Sequence, residues 1–177
     1  QGIPGVTNSI VDKEGKYNGW QMNPDELQNR DVKFFDEVFS QISKNYNLDF
    51  DRIYAVGHSN GSRFVNVLWK IRPEKFAAFV TVAGPGENWL KFAPQKSVWI
   101  SFGKNDKIVP YKIQKFSSKQ YLKFFEANEN TAQTEGEITV YQTSENKEII
   151  IEDRNAGHEF PQNSIPKMVE FFKRNHR

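Results

Sequence analysis

The sequence predicts an α/β domain, a mostly parallel sheet with helices on both faces. Three observations carry this. Short continuous apolar runs lie at 52–56, 78–83, 97–102 and 148–152, as expected of strands buried on both sides. Between the runs lie amphipathic helical segments or longer excursions, as right-handed crossovers between parallel strands require. Each run stops at a glycine-rich or polar turn, where a parallel sheet gathers its working residues.

Residues 1–23 are rich in Gly, Asn and Pro and read as loop. A helix starts near Pro24 or after Asn29, with Phe35, Val38, Phe39, Ile42 and Tyr46 on one face. Residues 47–51 form a turn into the strand 52–56. Phe64, Val67, Leu68 and Ile71 mark a second helix, which Pro73 stops. Strands at 78–83 and 97–102 end at Gly84 and Gly103. A helix over 117–128 turns Tyr121, Phe124 and Phe125 inward. Residues 126–147 are polar, with strand-like character only at 138–141, and read as a surface excursion. A strand at 148–152 precedes Asn155-Ala156-Gly157-His158. A helix over 164–173 closes the chain, with Met168, Val169, Phe171 and Phe172 apolar.

Length and composition narrow the class. A chain of 177 residues without internal repeats suits one domain, 1–177, with a single core. Bulky rings (Phe 15, Trp 4, Tyr 6) supply much of the burial. The mean hydropathy of -0.70 is low for a buried parallel sheet. Either the outer helix faces are heavily charged or part of the apolar sheet is absent. The 24 basic and 22 acidic residues are mixed along the chain, so no nucleic-acid partner is expected. No run approaches the roughly 18 apolar residues of a membrane span. Without cysteine there is no disulfide, thiolate metal site or thiol nucleophile. Histidine spacing suggests no metal, and no phosphate-cradling motif occurs. No cofactor is expected.

The chemistry lies at the strand ends. Gly57-His58-Ser59-Asn60-Gly61 joins an apolar strand directly to a helix. Such a sharp turn presents the serine hydroxyl, and small residues two positions either side let the backbones approach. Asp106 follows the strand 97–102, and His158 follows 148–152. Ser59, Asp106 and His158 therefore form a candidate nucleophile–acid–base triad, in the order of the α/β-hydrolase fold. The Asn60 backbone N–H is a candidate oxyanion donor at the positive end of its helix. Asp153 is the reserve acid. His58 points away from the serine and packs beside the site, and His176 lies in a fraying terminus. Trp20, Trp89, Tyr111 and Phe160 are available to line an acyl or aromatic pocket. Trp89 and Phe160 are assigned to substrate binding, with ordinary packing an equal explanation.

Three blocks carry a resemblance: Gly57-His58-Ser59-Asn60-Gly61, Asn105-Asp106-Lys107-Ile108-Val109-Pro110 and Gly157-His158-Glu159-Phe160-Pro161. They resemble those of polyhydroxybutyrate depolymerase and feruloyl/acetylxylan esterase-like α/β-hydrolases. Residues 30–34, 48–52 and 75–78 are similar too, so the likeness covers most of 20–165. It implies a serine-dependent carboxylic ester hydrolase, acting on polyester or plant-polysaccharide esters outside the cell or in the periplasm. Where the family usually has Trp, this chain has Phe160. The family's N-terminal strands and its His-Gly oxyanion loop precede the point that matches Gln1. The resemblance thus implies the C-terminal two-thirds of the domain, without the N-terminal strands. The strand 52–56 should then expose an apolar edge, to be covered by that N-terminal segment or by another chain. A non-catalytic binding module, a serine peptidase and a thioesterase remain alternatives.

Overall fold

The computed structural model describes residues 16–177, together with Glu14 and the backbone of Ile3 and Pro4. The readings made for the rest of 1–15 lie outside the described residues. A short antiparallel pair, β1 (Ile3–Pro4) and β2 (Asn18–Gly19), precedes α1 (Arg30–Asn45). The main sheet has six strands. β3 (Tyr54–His58), β4 (Ala78–Val82), β5 (Ser97–Gly103) and β8 (Glu148–Arg154) are mutually parallel neighbours. β7 (Ile138–Thr143) and β6 (Ala127–Glu135) add antiparallel beyond β8, giving the order β3-β4-β5-β8-β7-β6. The helices are α2 (Asn60–Ile71), α3 (Tyr111–Phe124) and α4 (Ile165–Arg174).

Two cores result, one on each face. Phe79, Val98, Ile100, Phe102 and Ile149 point toward α1, α2 and α3, meeting Val32, Phe64, Leu68, Trp69 and Tyr121. Trp69 is fully buried, stacked 5.1 Å from Phe79 and 4.9 Å from Phe125. On the other face Ala78, Val80, Val82, Trp99 and Ile150 pack against Met168 and Phe171 of α4. Every residue of β4 and β5 is buried, which accounts for their unbroken apolar runs.

Three readings need correction. The first strand lies two residues later than expected, because residues 50–52 form a helical turn first. The third helix starts at Tyr111, six residues before position 117, because buried Gln114, Ser117 and Ser118 break its apolar period. Residues 126–147 are more than a surface excursion: the strand-like stretch 138–141 falls in β7, and the β6–β7 hairpin extends the sheet through pairs such as Val140–Ile150. Their polarity follows from exposure, since β6 is solvent-facing along nearly its whole length. The apolar face of α1 is only partly covered: Val38 and Ile42 are 38% and 42% exposed, and Phe34 beside them 50%.

β3 is the edge strand, paired among the described residues with β4 alone. Val56, at its centre, is 49% exposed. Among the described residues, the strand that carries the elbow thus has one open side.

Candidate active site

The elbow is built by close backbone contact. Ser59 stands between β3 and α2 with φ 55° and ψ −120°, a conformation L-residues rarely adopt. Its N–H donates to Val82 O at 2.8 Å, and its carbonyl accepts from Ser62 N and Ser62 Oγ at 3.0 and 2.7 Å. A Cβ on Gly57 would sit 2.2 Å from Gly61 O, so glycine is required there. Position 61 differs. A Cβ on Gly61 would have Trp20 Cδ1 as its nearest neighbour, at 4.0 Å. The two glycines of the pattern are therefore not equivalent. Although Ser59 precedes a helix, its side chain does not cap it, which leaves Oγ free to bond elsewhere.

The three strand ends bring their polar residues together. His158 Nε2 lies 2.9 Å from Ser59 Oγ, and His158 Nδ1 lies 2.8 Å from Asp106 Oδ2. The Asp106 side chain is fully buried. Its Oδ1 accepts from the Ile108 and Val109 N–H groups at 2.8 and 2.9 Å, and its Oδ2 from Gln114 Nε2 at 3.0 Å. Burial pushes the Asp106 carboxyl up. The hydrogen bonds from His158, from the Val109 and Ile108 amides and from Gln114 outweigh this and hold it below the usual carboxylate range. An ionised Asp106 only accepts, so His158 Nδ1 carries the proton and Nε2 presents its lone pair to the Ser59 hydroxyl.

The remaining predicted residues are placed as follows. Asn60 is the first residue of α2, so its N–H has no acceptor within the helix. Its side chain clamps the backbone of Trp20, accepting from Trp20 N at 2.7 Å and donating to Trp20 O at 3.0 Å. Phe160 packs against the α4-side core, its ring edge-on to His58 at 6.3 Å. Trp89 is half-buried against the α2–α3 core. Trp20 stacks on Phe64 at 4.9 Å, and Tyr111 donates to Asp153 Oδ2 at 2.8 Å. Asp153 is thereby engaged with Tyr111 and Lys115, whereas His158 pairs with Asp106.

Some residues that shape the site gave no sequence signal of that role. Gln114, fully buried, bonds both Asp106 and Val109 O. Gly103 lets the base loop close on β5, since a Cβ there would lie 2.2 Å from Gly157 O. Gln21, also fully buried, accepts from the Asp31 and Val32 amides at 3.1 and 3.3 Å and caps α1. Together with the Asn60–Trp20 clamp, this ties residues 20–32 to the elbow helix. Among the described residues no group of three or more metal-ligating side chains is placed to hold an ion.

No family model matches the sequence, and no curated protein matches it. Solved structures do. An acetyl xylan esterase from Aspergillus awamori superposes with a TM-score of 0.60 and 17% identity, over 80% of this chain and 66% of that one. A thermostable esterase gives 0.58 and 16%, over 84% of this chain and 37% of that one. A Bacillus cereus carboxylesterase gives 0.55 and 19%, over 80% of this chain and 58% of that one. At these identities the likeness is one of fold, and the fold is that of the α/β-hydrolases. The chain spans 37% to 66% of the length of these three structures.

Proposed function

We propose that this chain is a serine-dependent carboxylic ester hydrolase that works through an acyl-enzyme on Ser59. One observation carries the reading: the hydrogen-bonded chain Ser59–His158–Asp106, with spacings of 2.9 and 2.8 Å, assembled from three separate strand ends. His158 Nε2 takes the Ser59 proton as Oγ attacks the ester carbonyl. Asp106 fixes the imidazole tautomer and stabilises the cation that forms. His158 then returns the proton to the leaving alcohol, and a water molecule repeats the sequence to release the acid. The Asn60 N–H supplies one oxyanion donor, favoured by the α2 dipole.

A second oxyanion donor is assigned to a further strand-forming segment covering the open edge of β3. Removing one donor typically slows such reactions by about 10²–10³, so turnover without that segment should be slow. Polyester or plant-polysaccharide-linked esters are the proposed substrates. This substrate class comes from the family that the three sequence blocks resemble, one structural neighbour being named an acetyl xylan esterase; the blocks themselves single out no substrate. Release of p-nitrophenol from p-nitrophenyl acetate, followed by feruloyl esters and hydroxybutyrate oligomers, tests activity and substrate class. Turnover abolished in Ser59→Ala supports the assignment. Turnover equal in that variant and the native chain overturns it.

A further inference from the structure

The base of the triad rides on a loop, and the strand carrying the nucleophile is three strands away from it. In the order β3-β4-β5-β8, β4 and β5 separate the Ser59 strand from the His158 strand. Small shifts in each ladder would add up across that distance, yet the Oγ–Nε2 spacing must stay within hydrogen-bond range. Edge position makes β3 the least restrained of the four.

One side chain bridges the gap, and a second braces the loop from its own side. His58, one residue before the nucleophile, places Nε2 2.5 Å from the carbonyl oxygen of His158. A carbonyl only accepts, so His58 carries its proton at Nε2 and donates it. Its ring is fixed on two sides, 4.9 Å from the His158 ring and edge-on to Phe160. One residue further along the loop, Arg154 Nη2 donates to Glu159 O at 2.7 Å, while its Nε is held by Ser101 Oγ at 3.0 Å. Arg154 is only 6% exposed. Other ties hold the loop to its own side of the sheet: Asn105 N donates to Ala156 O at 2.9 Å, Asn105 Nδ2 to Asn155 Oδ1 at 3.1 Å, and Asn155 N to Glu137 Oε1 at 2.5 Å. Of these ties, the His58 bond alone runs from the nucleophile's own strand to the base's own backbone.

We propose that His58 is a positioning residue. By donating to the His158 carbonyl it locks β3 to the base loop and sets the Ser59–His158 distance, while Arg154 secures the following carbonyl to the sheet. The proposal rests on Ser59 being the nucleophile. His58 makes no contact with the reacting atoms and acts through the placement of His158.

The test compares His58→Leu, which removes the donor, with His58→Gln, which restores an N–H at similar reach. The rate of Ser59 modification by a fluorophosphonate is measured on the full chain, together with kcat and KM for p-nitrophenyl acetate and the melting temperature. His58→Leu should react about tenfold or more slowly, the loss falling on kcat rather than KM, because misplacing a reacting group by ångström fractions is costly. His58→Gln should recover most of the rate, which a role in ring packing alone would not allow. Solvent exchange of the His158 Nδ1 proton reports the same effect without any reagent, and should quicken in the Leu variant only. Unchanged labelling and exchange in His58→Leu, or a Gln variant as slow as Leu, overturns the proposal. A Ser59→Ala chain labelled as fast as the native one would instead remove the nucleophile reading on which it rests.

Discussion

Gly57 and Gly61 occupy symmetric places in the elbow pattern, and the structure predicts opposite outcomes for an added methyl group. In Gly57→Ala the new Cβ would lie 2.2 Å from Gly61 O, 2.4 Å from Gly61 C and 2.7 Å from Ser62 N. All three atoms are backbone, so no side chain can swing aside. Relief to an ordinary carbon–oxygen contact of about 3.3 Å needs a shift of roughly 1 Å between β3 and the start of α2. That shift moves Ser59 Oγ relative to His158 Nε2, now 2.9 Å apart. A displacement of this size costs about 10²-fold in rate. Overpacking costs about 1–3 kcal/mol, or roughly 2–12 °C in melting temperature for a chain of this length. Gly61→Ala meets nothing closer than Trp20 Cδ1 at 4.0 Å. Since alanine outranks glycine in a helix by up to ~1 kcal/mol, that variant should melt at or slightly above the native temperature. Thermal denaturation followed by circular dichroism, with fluorophosphonate labelling rates, reads both effects. Equal damage from the two substitutions, or a silent Gly57→Ala, would refute the geometric account of the elbow.

The other expectations follow from the acid and from the sheet edge. Gln114→Leu removes the amide that bonds Asp106 Oδ2 and Val109 O. It should cost about 1–3 kcal/mol in denaturant unfolding and slow labelling of Ser59. The folded-state pKa of Asp106 is depressed, so its stabilising contribution is fully present above the unfolded carboxylate value of about 3.9. That contribution fades as pH falls through the lower folded value. Native stability minus that of Asp106→Asn should therefore shrink as pH falls below about 4. A difference that does not shrink below about pH 4 would contradict an ionised, hydrogen-bonded Asp106. The open side of β3, with Val56 49% exposed, should drive concentration-dependent self-association. Val56→Lys should suppress it in sedimentation or light-scattering measurements, and an unaltered association constant would place the contact elsewhere.

What the sequence revealed was what burial on two faces writes into it. β4, β5 and β8 announce themselves in this way as continuous apolar runs; β3 reads alike although its edge is half-exposed, and Ser59, Asp106 and His158 follow β3, β5 and β8. Of the β6–β7 hairpin only the stretch 138–141, in β7, showed strand character; polar β6 carries no such run, and the pairing with β8 is set by tertiary contact. α3 was cut short for a related reason: Gln114 is a polar residue in a buried position, chosen for the Asp106 carboxylate rather than for an apolar core. The tie between His58 and the His158 carbonyl could not be read at all, since its acceptor is backbone, present at every residue. The equivalence of Gly57 and Gly61 was a pattern-level expectation, and only the backbone path separates them.

The central claim is that Ser59 is a nucleophile activated by His158. Mass-spectrometric mapping of the fluorophosphonate adduct on the full chain tests it most directly. The account predicts a single adduct on the peptide containing Ser59, absent in Ser59→Ala and strongly reduced in His158→Ala. An adduct on any other residue, or labelling of Ser59 that persists undiminished without His158, would contradict it.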